Sequence, residues 1–136
     1  MMNKSLSALM TKLNWQLNAL NLQLHEIQDQ LQQVRQEMEA LDEQIQQAGV
    51  TSLIINPDFE INRLNFITQQ QEQKEELNMT LKQHQDTEHA VQEKMQRIKT
   101  ELRMLEKYLE REQAELQEQQ KKAENNALDE WVIQRS

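Results

Sequence analysis

The chain has 136 residues, a formal net charge of -8, 28% charged residues and only 4% aromatics, which is little material for a compact globular core. Its acidity argues against a nucleic-acid partner, whose phosphates require a basic surface. With no cysteine and a single glycine, it has no disulfide, zinc–thiolate site, thiol nucleophile or phosphate-cradling loop.

The first helix is expected over about 3–48. From Leu6 the apolar residues run Leu6, Met10, Leu13, Leu17, Leu20, Leu24, Ile27, Leu31, Val34, Met38, Leu41, Ile45 and Ala48, stepping by four and three without a miss. That 3.5-residue period makes two helices wrap left-handedly around each other. With Leu17 at position a, the outermost f positions fall on Ala8, Trp15 and Leu22 before turning polar. Trp15 should therefore face water, and an exposed Trp followed by Leu one heptad later suggests a contact surface.

Gly49 and Pro57 are the only glycine and proline of the chain, and together they mark one turn over 49–57. Glycine can end a helix and proline suits the first turn of the next, where its missing N–H is not needed. Asn56 is a candidate N-cap, and Asp58 brings negative charge to the helix N-terminus. The turn region is more apolar than a helical hairpin requires: Leu53, Ile54, Phe59 and Phe66 stand out, and both phenylalanines of the chain are here. Either a cap on the coiled coil or a docking knob follows from that excess.

The second helix is expected over about 58–133, continuing the seam through Ile67, Leu77, Leu81, Val91, Met95, Ile98, Leu102, Leu105, Leu109, Leu116 and Ala123. Gln70, Lys74, His84, Glu88, Glu112 and Gln119 interrupt it. Polar seam residues more often set register than perform chemistry. If Ala48 sits opposite a residue near 58–64, antiparallel pairing sets Met2 against 104–110, so about 26 to 32 residues of the second helix project without a partner, on the order of 40 to 48 Å. The expected fold is all-α: one elongated domain over 1–136, an antiparallel two-helix coiled-coil hairpin with a longer, overhanging C-terminal helix. The heptad breaks at Asn125 and Asn126, after which Leu128, Trp131, Val132 and Arg135 share a new face at i, i+3, i+4, i+7 spacing.

Catalysis has little to stand on. His84 and His89 lie five apart, on different helix faces, and His84 with Glu88 reads better as a polar pair than as metal ligands. No enzyme activity, cofactor or metal is expected. No stretch approaches the roughly 18 consecutive apolar residues of a membrane span, and the start lacks a signal peptide's apolar segment, so a cytoplasmic chain without direct membrane insertion is expected.

The run Lys121-Lys122-Ala123-Glu124, then Leu128-Asp129-Glu130-Trp131 and Gln134-Arg135, resembles the C-terminal end of the FliJ family, the stalk proteins of the flagellar type III export apparatus; Phe66-Ile67 is similar to an aromatic-Ile pair near that family's hairpin tip. The resemblance implies a non-enzymatic coupler, similar in fold to the central shaft of rotary ATPases. It would insert into a hexameric export ATPase and engage the cytoplasmic domain of the export gate and export chaperones, at the inner membrane's cytoplasmic periphery. Trp15, Leu22, Leu109, Leu116, Leu128 and Trp131 would belong to the ATPase end, and Leu53, Ile54, Phe59 and Phe66 to the gate-facing tip. An injectisome stalk of the same architecture, or a generic coiled-coil scaffold or homodimer, are the alternatives.

Overall fold

Helix α1 spans Met2–Gly49 and helix α2 spans Pro57–Arg135 in the computed structural model, which describes residues 2–49 and 57–135. Among the described residues there is no strand, and the two helices pack against each other. Pro57 is the first residue of α2, where its fixed φ is already helical. Asp58 and Glu60 follow in its first turn, and Arg135 stands in its last, each with the sign the helix dipole favours. Gly49 departs from the usual reason for a terminal glycine: it is itself the last helical residue of α1, without a left-handed backbone, and a Cβ there would meet nothing within 4 Å. Thr11, Thr68, Thr80, Thr87 and Thr100 each donate Oγ1–H to the carbonyl four residues earlier, at 2.8 to 3.1 Å, which satisfies the hydroxyl without leaving the helix.

Burial follows the heptad. On α1 the thirteen stripe residues from Leu6 to Ala48 are all buried or half-buried, and Asp42 is the one other described residue withdrawn from full exposure. On α2 the withdrawn residues from Arg63 to Glu112 step by four and three through the polar as well as the apolar seam positions, with Thr80 withdrawn in addition beside Leu81. The period therefore decides what is covered, and residue chemistry decides only how well. Neither described helix is long and apolar enough to cross a membrane.

The chain divides into two compact units. Unit 1 comprises residues 1–18 with 96–136, and unit 2 comprises 19–95. In unit 1 the buried residues are Leu13 and Leu102, flanked by half-buried Leu6, Met10, Leu17, Ile98, Leu105 and Leu109. In unit 2 they are Leu31, Val34, Val91 and Met95, with Leu31 the most enclosed at 2% exposure. Full burial of each such side chain stabilises by roughly 1.5 to 3 kcal/mol.

The polar seam positions of unit 2 are accommodated individually. Lys74 Nζ lies 2.6 Å from Asp42 Oδ1. The Arg63 guanidinium donates to Glu60 Oε2 at 2.8 Å and makes a long, 3.5 Å approach to the carbonyl of Ala48 in the last turn of α1. Arg63 Nε and Gln70 Oε1 are buried without a protein partner, which weakens this part of the seam.

Candidate partner-binding site

Among the described residues, exposed apolar side chains distinguish this chain's surface. Trp15, in unit 1, is 70% exposed, and Leu22, in unit 2, is 72% exposed. Both lie outside the seam because position f points away from the partner helix. At the start of α2, Phe59 is 72% exposed and Phe66 is also exposed, together with Ile61 and Leu64. These four do not form one cluster. At 3.6 residues per turn, Phe59 and Phe66 fall on one flank of the seam and Ile61 and Leu64 on the other. Leu53 and Ile54, the other expected tip residues, lie outside the described residues.

In unit 1 the seam gives way to open surface within one turn. Leu109 is half-buried and, with Ser7, Glu112, Gln113 and Leu116, lines a groove of about 310 Å³. Every described residue from Gln113 to Arg135 is exposed. Leu116 and Ala123 thus keep seam spacing without cover, and a helix with an unburied apolar stripe presents it to whatever surface comes near.

Near the end of α2, Glu124, Ala127, Leu128 and Trp131 line a shallow surface depression, and Val132 and Ile133 are also exposed. Arg135 stacks its guanidinium 4.3 Å from the centre of the Trp131 ring. This cation–π contact orients the indole from its C-terminal side and is worth about 0.5–1 kcal/mol at such an exposed site. The i, i+4 spacing of Trp131 and Arg135 is its signal in the sequence.

The histidines are otherwise disposed. His84 and Glu88 sit half-buried in the seam, whereas His89 Nε2 lies 3.2 Å from Glu93 Oε1 on the exposed side of α2. Among the described residues no three His, Asp or Glu side chains gather as a metal site. Met79, Met104 and Tyr108 are exposed apolar residues that the heptad reading passed over, since it followed the seam and position f of α1 alone. No family model, curated protein or solved structure matches the chain.

Proposed function

We propose that this chain is a non-enzymatic stalk protein of a flagellar type III export apparatus, of the FliJ kind, which inserts into a hexameric export ATPase and links it to the export gate and to export chaperones. Its working form is an antiparallel two-helix hairpin whose second helix overhangs the first, held in the cytoplasm against the inner membrane by its partners. The antiparallel sense is supported by two contacts in unit 2: Asp42 meets Lys74 and Ala48 meets Arg63, so partner numbers fall along α2 as they rise along α1. Ala48 was expected opposite a residue near 58–64, and Arg63 falls within that range. Ser7 likewise shares its groove with Leu109 and Leu116. In this reading the overhang begins near Gln113, after which every described residue of α2 is exposed.

The observation that carries the proposal is the exposed segment 113–135, where Leu116, Leu128 and Trp131 remain uncovered on a helix that needs tertiary packing to be more than marginal. Insertion into a pore would bury these residues and hold the helix. The test is a chain ending at Glu112, which retains every covered seam position. It should stay helical and melt cooperatively, yet neither bind nor stimulate the hexameric export ATPase. Full stimulation by the shortened chain would exclude insertion through the overhang. Concentration-dependent doubling of the intact protein's mass, with no ATPase binding, would favour the homotypic scaffold instead.

A further inference from the structure

Charge is divided unequally between the units. Unit 1 holds ten Lys and Arg against nine Asp and Glu, a net of +1, while unit 2 holds five against fourteen, a net of -9, so the chain's acidity resides in unit 2. Within unit 1 the cations gather. Arg97, Arg103, Lys107 and Arg111 fall on an arc of α2 about 140° wide, turned away from the seam, and the exposed Met104 and Tyr108 lie among them. Between positions 96 and 114 no carboxylate falls on that arc; Glu101 and Glu110 mark its margins, and Glu93 and Glu115 close it at its two ends, four residues from Arg97 and Arg111.

An ordinary solvated helix face mixes the two signs and gains from opposite charges at i, i+4. Here Arg103, Lys107 and Arg111 follow one another at that spacing, where like charges repel. None of the four cations takes part in the ion pairs formed among the described residues, which join Arg63 to Glu60, Lys74 to Asp42 and His89 to Glu93. Composition points the same way. Arginine, tyrosine and methionine are enriched at protein interfaces while lysine is depleted, and this arc carries three of the chain's six arginines and its one tyrosine. Beneath it, Leu102 is buried and Ile98, Leu105 and Leu109 are half-buried, so the arc is displayed on a packed helix and little ordering is left for a partner to impose.

We infer that this arc is a docking face for an acidic protein surface, with carboxylates meeting the arginines and an apolar pocket receiving Tyr108 and Met104. The inference rests on the proposed function for the identity of that surface: it belongs to the export ATPase and is separate from the Leu128–Trp131 cluster. Two isolated apolar residues among four cations suit a protein pocket better than a membrane surface, which is bound through a broad apolar face.

The experiment measures binding of the intact protein to the hexameric export ATPase over a range of ionic strength. The double variant Arg103→Glu, Lys107→Glu should lose roughly tenfold or more in affinity at low salt and show a shallower salt dependence, because exposed interfacial charges act through screened, long-range attraction. Tyr108→Ala should weaken binding with the salt slope unchanged. The neutral pair Arg103→Gln, Lys107→Gln removes the concern that charge reversal unfolds α2, and should fall between wild type and the reversed variant. If wild type binds and all these variants bind equally, with one salt slope, the docking face is refuted while the stalk reading stands. Loss of binding to phosphatidylglycerol vesicles, with ATPase affinity intact, would assign the arc to lipid and overturn the proposal. Failure of the wild type to bind the ATPase at any ionic strength would overturn the stalk reading, and this occupant with it.

Discussion

Lys74 occupies a seam position on α2 and turns its ammonium to Asp42 on the flank of α1, 2.6 Å away, with the two side chains 37% and 47% exposed. The pair tolerates a cation where the heptad calls for an apolar residue. At that exposure it contributes only about 0.2–1 kcal/mol, since both charges remain largely hydrated. Asp42→Ala should therefore cost less than about 1 kcal/mol, whereas Lys74→Leu, which extends the apolar seam, should raise stability by about 1 kcal/mol. Urea denaturation of both variants checks the signs. A large loss in Lys74→Leu would mean that the ion pair is required for register.

Leu31 and Leu116 both keep seam spacing, but one is enclosed and the other open. Leu31→Ala should cost about 2–5 kcal/mol through lost transfer energy and the cavity left behind. Leu116→Ala, on the exposed segment, should stay within about 0.5 kcal/mol. Equal costs would show that the segment after Gln113 is covered in solution.

Gly49 ends α1 in a right-handed conformation with open space where a Cβ would stand. Gly49→Ala should accordingly stabilise by about 0.4–1 kcal/mol, because alanine restricts the unfolded chain and strains nothing in the folded one. Thermal melting monitored by circular dichroism measures it. A drop in melting temperature would show that glycine's freedom is needed in the connection that follows.

Phe59 and Phe66 share one flank at the start of α2, apart from Ile61 and Leu64. Phe59→Ala with Phe66→Ala should leave stability nearly unchanged and weaken binding to the cytoplasmic domain of the export gate by about tenfold or more, as expected for aromatic anchors. Ile61→Ala with Leu64→Ala reports on the opposite flank. Should the phenylalanine pair lower the melting temperature while gate affinity survives, the aromatic flank is only a cap.

The helical state, the break near Gly49 and Pro57 and the thirteen-position stripe of α1 were all legible in the residues. Each is local: a 3.5-residue apolar period and the backbone limits of one glycine and one proline operate within a few turns of chain. Placing Trp15 and Leu22 outside the seam follows from the same period. The short connection placed Ala48 near residues 58–64, where Arg63 approaches it, but which polar seam residues find partners was not legible. Lys74 and Gln70 are both polar seam residues, yet Lys74 finds Asp42 while Gln70 Oε1 stays buried and unpartnered, because helix-to-helix register sets which side chains come within reach. The same cause closed the seam at Glu112, leaving Leu116 open although its spacing matches that of Leu109. Spacing alone thus determined which residues could form the seam, and tertiary pairing decided which were covered, since burial requires a second surface that no single helix contains.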